Sequence, residues 1–282
     1  MPHISQTLDE LKAEIAAAAQ TCGRPDNAVT LLAVSKRQPA GAMREAHAAG
    51  QRHFGENYVQ EAIDKRQHLA DLDIIWHFIG PIQSNKTRDI ANAFDWVHSV
   101  DRDKIAERLS AQRDPALPAL NVCVQINLSD EDSKSGVALA EAAQLCALVE
   151  RLPNLRLRGL MAIPAALESA AEQRACFAPL KQEFDRLRVT LPTIDTLSIG
   201  MSNDFGAAIA EGSTMVRIGT ALFGARSSEK VREFALKSVN FNPTIQTQAA
   251  INRRRAEYST RLAISTFRRQ TLQDTRIGFI GA

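Results

Sequence analysis

Lys36 stands at the end of an apolar run, Val29-Thr30-Leu31-Leu32-Ala33-Val34-Ser35. A lysine there can put a desolvated amine at the floor of a pocket. Desolvation lowers the amine's pKa and frees it to attack an aldehyde. Taken alone, such a lysine is more often a snorkelling surface residue or half of an ion pair. A second group of residues lies far along the chain. Gly200-Met201-Ser202 is followed by Asn203-Asp204-Phe205-Gly206-Ala207-Ala208-Ile209, in which Ser202 reads as a helix N-cap. A helix N-terminus is also an anion site. Capping alone accounts for the serine, however, and Asp204 brings a competing charge. In Met215-Val216-Arg217-Ile218-Gly219-Thr220, Val216 and Ile218 share one face, which leaves Met215, Arg217 and Gly219 on the other. An inward arginine must meet an anion or an acceptor, and a carboxylate such as Glu56 is one alternative. Gly219 would let a phosphate approach the backbone, and Thr220 can donate a hydroxyl. Together these residues favour a phosphate-ligand site, although none does so alone. His77 could act as an acid or base, but a satisfied core histidine is the commoner case. The six histidines form no close-spaced ligand set, so no metal is expected.

The elements that must position these residues alternate. Strand-like runs begin near Val29, His53, Ile74, Trp96, Leu120, Leu155, Thr196 and Thr214. Most intervals between them carry i, i+3, i+4 apolar spacing, as in 139–152 and 176–189, and an amphipathic helix over 4–19 leads in. Eight strands alternating with helices over this length predict an α/β fold, a (β/α)8 barrel. The competing open doubly wound sheet lacks its GxGxxG fingerprint in residues 1–226. In a barrel, function gathers at the C-terminal ends of the strands. Lys36, Asn57, His77, Met201, Ser202, Gly219 and Thr220 all follow or end such runs.

Composition narrows the class. The chain has 282 residues, 45% hydrophobic and 23% charged, with a net charge of +2. That balance points to neither nucleic acid nor a membrane surface. Cys22, Cys123, Cys146 and Cys176 form no CxxC pair and read as reduced thiols. No basic segment followed by an apolar run opens the chain, and no stretch has the length of a membrane span. The cytoplasm is the expected location. Residues 1–226 carry a net charge of −4 and residues 227–282 a net of +6. The regular pattern also stops there, so a boundary is placed near Arg226, with an irregular extension over 227–282.

The segments LLAVSK, HFGENYVQEA, WHFIGPIQSNK, SKSGV, LRGLMAIP, LSIGMSNDF and STMVRIGTALFGAR resemble the YggS/PROSC family of pyridoxal phosphate homeostasis proteins. The resemblance runs from about Leu31 to Arg226. It implies a barrel of the fold-type III class that binds pyridoxal 5′-phosphate (PLP), similar to the N-terminal domain of bacterial alanine racemase. It further implies that Lys36 is the Schiff-base lysine. Ser202, Gly219 and Thr220 would hold the phosphate, and Arg217 would face the pyridine nitrogen. Asn57 and Met201 would lie beside the cofactor. Arg37, Gln38 and Asn203 are read as tolerated variation. An arginine at the ring nitrogen disfavours its protonation and makes the ring a poorer electron sink.

Two roles remain: a carrier that holds PLP without turnover, with PLP-dependent apo-enzymes as its recipients, and an amino-acid racemase. Racemases of this fold take a second base, a tyrosine, from a β-rich domain across a dimer. This chain has Tyr58 and Tyr258 only, and the residues after Arg226 lack an alternating strand pattern. The carrier role and a monomeric state are therefore expected. Arg253-Arg254-Arg255 raises a nucleic-acid reading that a solvated charge run explains better. The final Arg276-Ile277-Gly278-Phe279-Ile280-Gly281-Ala282 resembles the first strand of a Rossmann fingerprint, as at the start of pyrroline-5-carboxylate reductase. It stops before a dinucleotide site could form and suggests an appended reading frame.

Overall fold

The computed structural model describes residues 3–128 and 135–224. These belong to one unit, Met1–Lys230. The expected extension over 227–282, with Arg253, Arg254, Arg255 and Tyr258, lies outside the described residues, as do Ser133 and Lys134 of the SKSGV segment.

Eight parallel strands close into a barrel. They are β1 (Thr30–Val34), β2 (His53–Glu56), β3 (Ile75–Phe78), β4 (Trp96–Val100), β5 (Leu120–Asn127), β6 (Leu155–Ala162), β7 (Thr196–Ser198) and β8 (Met215–Ile218). Neighbours pair in chain order, and β8 returns to β1 through Thr30↔Met215 to Ala33↔Ile218. A two-residue strand, Val137–Ala138, adds outside the ring beside the end of β5. Aliphatic residues dominate β1, β5, β6 and β8 because a parallel strand under helices is buried on both faces, whereas β2 and β3 carry Phe54, Trp76 and Phe78 with His53 and His77. Leu31 and Ala33 of β1 and Val216 and Ile218 of β8 join the large apolar layer beneath the helices. Trp96, Cys123 and Met161 form a separate cluster. The face assigned to Val216 and Ile218 from sequence parity is the one observed.

Helices α1 (Ile4–Thr21), α2 (Ala40–Ala48), α3 (Val59–His68), α4 (Thr87–Ala93), α5 (Asp103–Gln112), α6 (Ala142–Arg151), α7 (Ala170–Thr190), α8 (Phe205–Ala210) and α9 (Thr220–Phe223) surround the strands. Because α9 is a single turn, it cannot cover the β8–β1 seam. Helix α1 packs on α2, α8 and α9 and does so instead, with Leu8, Leu11, Ile15 and Ala19 buried at helical spacing. Helix α7 starts six residues before the stretch legible from apolar spacing. A capping box sets that start: Glu172 N–H donates to Ser169 Oγ at 3.2 Å, and Ser169 N–H donates to Glu172 Oε2 at 3.2 Å. Among the described residues, no helix is long and apolar enough to cross a membrane.

Candidate functional site

A cavity of about 440 Å³ opens at the C-terminal ends of the strands, within the usual size of small-molecule pockets, about 300–1,000 Å³. All seven residues that the family resemblance sets beside the cofactor line it. Lys36 follows β1, Asn57 follows β2, Met201 and Ser202 follow β7, Arg217 lies on β8, and Gly219 and Thr220 follow β8. The apolar loop 163–167 after β6 forms another wall.

The backbone beside Lys36 is tightly determined. Arg37 has φ of 60°, in the left-handed region that non-glycine residues avoid. Its N–H donates to Glu61 Oε1 at 2.5 Å, and its guanidinium donates to the Tyr58 hydroxyl at 3.2 Å. Glu61 is fixed in turn by Lys65, one helical turn on, at 2.6 Å. Lys65 also donates to Glu56 Oε1 and to the Ser35 carbonyl, each at 2.7 Å. The Ser35 hydroxyl donates to Glu56 Oε1 at 2.7 Å. A buried Glu–Lys–Glu cluster thus ties β2 and α3 to the residues flanking Lys36. Burial pushes the Glu56 carboxyl up to about 7, with Lys65 opposing the rise. Glu56 is therefore the partner of Lys65 and not of Arg217, which removes one sequence-based alternative.

The phosphate-side loop differs from its expected form. Ser202 is not the N-cap of α8; Asp204 occupies that position. Residues 201–204 form a turn in which Asp204 Oδ1 accepts from the Met201 N–H at 2.5 Å, while Asp204 and Phe205 N–H donate to the Met201 carbonyl. The turn leaves the Ser202 side chain on the cavity wall. It needs Gly200, whose φ is +97° and where a Cβ would meet the Ala208 Cβ at 2.8 Å. Gly200→Ala is expected to cost about 1–2 kcal/mol in urea unfolding; an unchanged midpoint would show that the turn re-forms without strain. Gly219 has a packing reason the sequence did not show. A Cβ there would meet the Val34 carbonyl at 3.0 Å, so its bareness lets the end of β8 close on β1.

Arg217 points into the barrel and is buried. Its Nη1 donates to the Ser198 carbonyl at 2.5 Å and to Ser198 Oγ at 3.0 Å, and its Nη2 donates to the Ala162 carbonyl at 2.9 Å. Burial lowers its pKa to about 10, with Asp204 opposing, so it stays cationic at neutral pH. No carboxylate among the described residues bonds to it.

His77 does not line the cavity. It is fully buried inside the barrel between His53 and His98. Tyr58 is half-exposed, engaged by Arg37, and also absent from the lining. Among the described lining residues, the ionisable side chains are Lys36, Asp204 and Arg217. No group of three or more His, Cys, Asp or Glu that could hold a metal ion occurs among the described residues. Sequence reasoning read Gln38 as tolerated variation, although it lines the cavity, and passed over Gln173 and the Glu56–Lys65–Glu61 cluster. The last had a usable signal, because Glu61 and Lys65 sit with Ala62 on the face of α3 that must be buried. Gln38 Oε1 and Asn57 Oδ1 are buried beside the cavity without a hydrogen-bond partner among the described residues.

Comparison with known proteins places this arrangement. The family model for the alanine racemase N-terminal domain matches residues 6–227. The match thus begins well before Leu31, because α1 belongs to the fold. The chain is 59% identical over 226 residues to a pyridoxal phosphate homeostasis protein of Pseudomonas aeruginosa, covering 80% of this chain and 97% of that one. It is 55% identical over 233 residues to the protein of the same name from Escherichia coli K12, covering 82% and 100%. The structure of PipY from Synechococcus elongatus with PLP bound superposes with a TM-score of 0.69 at 41% identity, over 78% of this chain and all of PipY. Alanine racemase from Corynebacterium glutamicum shares the fold at a TM-score of 0.56 and 18% identity, over 78% of this chain and 62% of that one. A closed barrel matched from its first helix to its last, by relatives that it covers almost entirely, makes this chain a member of the pyridoxal phosphate homeostasis family, built on the alanine racemase N-terminal domain.

Proposed function

We propose that the protein binds PLP in the cavity at the strand ends, anchored on Lys36, and serves vitamin B6 homeostasis by holding the cofactor without turning over amino acids. The observation that carries this reading is the convergence of Lys36, Asn57, Met201, Ser202, Arg217, Gly219 and Thr220, from separate parts of the chain, on one cavity. The donor set fits the cofactor. Ser202 and Thr220 offer hydroxyls to a phosphate at the β7 and β8 ends, and Arg217 offers a cation to a neutral ring nitrogen. The unpartnered oxygens of Gln38 and Asn57 are acceptors awaiting a ligand's donor. When bound, the cofactor supplies an aldehyde, and the Lys36 amine is the group placed to take it up covalently.

Two features support holding over turnover. An arginine at the ring nitrogen keeps a proton off it and weakens carbanion chemistry. Racemisation also needs a second base opposite the lysine, and the lining offers no histidine or tyrosine for it among the described residues. Asp204 is committed to the Met201 amide. The reading extends to a cytoplasmic monomer whose recipients are PLP-dependent apo-enzymes, and to residues 227–282 as an extension outside the barrel domain.

Titration with PLP is expected to show one equivalent taken up, with a visible absorbance band that borohydride fixes to Lys36. The loaded protein is expected to racemise alanine negligibly. Robust racemisation lost in Lys36→Ala would overturn the carrier reading in favour of an enzyme.

A further inference from the structure

Three histidines run through the barrel interior toward Arg217. His53 Nδ1 lies 2.9 Å from His77 Nε2, His77 Nδ1 lies 2.9 Å from His98 Nε2, and His98 Nδ1 lies 3.0 Å from Ser198 Oγ. They come from β2, β3 and β4, and the last link crosses the interior to β7. Ser198 Oγ in turn accepts from Arg217 Nη1 at 3.0 Å. The chain His53–His77–His98–Ser198–Arg217 is therefore continuous.

We infer that this column is a one-way hydrogen-bond chain that positions Arg217, with all three imidazoles neutral and protonated on Nε2. The inference deepens the PLP reading, because Arg217 is the cation assigned there to the ring nitrogen. Its direction follows from the arginine. A guanidinium only donates, so it spends a lone pair of Ser198 Oγ. The serine proton then needs an acceptor, and His98 Nδ1 is the nitrogen within reach. With Nδ1 accepting, His98 carries its proton on Nε2 and donates to His77 Nδ1. His77 then donates from Nε2 to His53 Nδ1. The opposite polarity would bring an N–H to Ser198 Oγ beside a cation and leave the serine proton without that acceptor. It would also aim the positive end of each imidazole dipole at Arg217.

The column is not a path for protons, because its last member cannot release one at neutral pH. It holds Arg217 by neutral acceptors where a carboxylate would cancel the charge. Packed against the column are Trp96 of β4, stacked on His77 at 5.2 Å between ring centroids, Cys123 of β5 and Arg158 of β6, and none of these is a carboxylate. The carboxylate that acts on Arg217 is Asp204, which lies on the cavity side and accepts from the Met201 amide. The column thus leaves the charge of Arg217 uncancelled from within the barrel. His53, His77 and His98 are positioning residues, since none of them lines the cavity.

The test uses the full chain labelled with 15N-histidine and 15N-arginine, without cofactor, so its outcome is independent of whether PLP binds. Long-range 1H–15N spectra are expected to show His77 and His98 in the Nε2–H form, with no titration between pH 8 and 5.5. The Arg217 Nη signals are expected to be resolved and protected from exchange. His98→Asn, whose side-chain oxygen can replace Nδ1 as acceptor, should retain those signals; His98→Leu should lose them. An Nδ1–H tautomer or a titrating His77 or His98 would overturn the polarity. Identical Arg217 signals in the two variants would overturn the positioning role. Should neither variant fold, the tautomers of the unmodified protein still decide the polarity.

Discussion

Lys36→Ala is expected to abolish the visible band that the protein acquires with PLP and to weaken retention of the cofactor by on the order of 100-fold, about 2.7 kcal/mol. The reason is the division of labour in the cavity. On the proposed reading, Ser202, Thr220 and Arg217 would offer only reversible contacts to a small anionic ligand, each contributing about 1.5–3 kcal/mol at most. The amine would turn that reversible hold into a covalent one. The reaction is intramolecular once the phosphate is seated, so the lysine benefits from a high effective concentration. The substitution leaves the fold in place, because Lys36 is only partly buried and lies on the cavity wall outside the apolar layer. Circular dichroism and urea unfolding of the variant should therefore match the parent within about 0.5 kcal/mol. A band of unchanged intensity in Lys36→Ala, or retention of PLP through dialysis equal to the parent's, would remove the lysine from the site.

The barrel and the cavity were legible in the sequence for one physical reason. Parallel strands buried on both faces must be apolar runs, and the positions just beyond them must carry the chemistry. Lys36, Asn57, Arg217 and Gly219 fall out of that rule together with strand parity. What stayed hidden depends on register or on competition between equals. Ser202, Asn203 and Asp204 are three good cap formers in a row, and local preference cannot rank them. The turn at Gly200 decides, by offering the Met201 amide to Asp204. His53, His77 and His98 are 24 and 21 residues apart in the chain, with no local pattern. They meet because β2, β3 and β4 are neighbours with Gly55 opposite His77 and His77 opposite Trp96. One inward histidine on each of three successive strands was the available signal, and it needed the register to be read. Gly219 had an evident role as an open backbone, yet its contact with Val34 appears only when the barrel closes.

The same column makes stability depend on pH in a defined direction. His77 and His98 are fully buried, and burial first, then neighbouring positive charge, depresses their pKa values, to about 3 for His98 and well below the ordinary value for His77. The standing charges responsible are Arg158 for His77 and Arg217 for His98, and a proton on one histidine of the column would further disfavour a proton on the next. In the unfolded chain both regain a pKa near 6.5. A depressed folded pKa means that the unfolded state binds the extra protons, so stability is full above about pH 6.5 and falls as the pH drops below it. From pH 7 to 5 the loss from His98 is about 2 kcal/mol, and His77 adds a loss of the same sign. Glu56 acts in the opposite sense. Its folded pKa of about 7 lies above the unfolded value, so the folded state takes up its proton first as the pH falls. Over the same interval it returns about 2 kcal/mol. Three urea-unfolding series at pH 7, 6 and 5 separate the contributions. Glu56→Gln is expected to lose stability most steeply, the parent less so, and His98→Asn least, with steps of about 2 kcal/mol between successive curves. The comparison rests on slopes and not on absolute stabilities, so the cost of each substitution at pH 7 does not enter. If His98→Asn and the parent fall in parallel, His98 takes up its proton in the folded barrel as readily as in the unfolded chain, and the burial that would keep the column neutral as the pH falls is refuted.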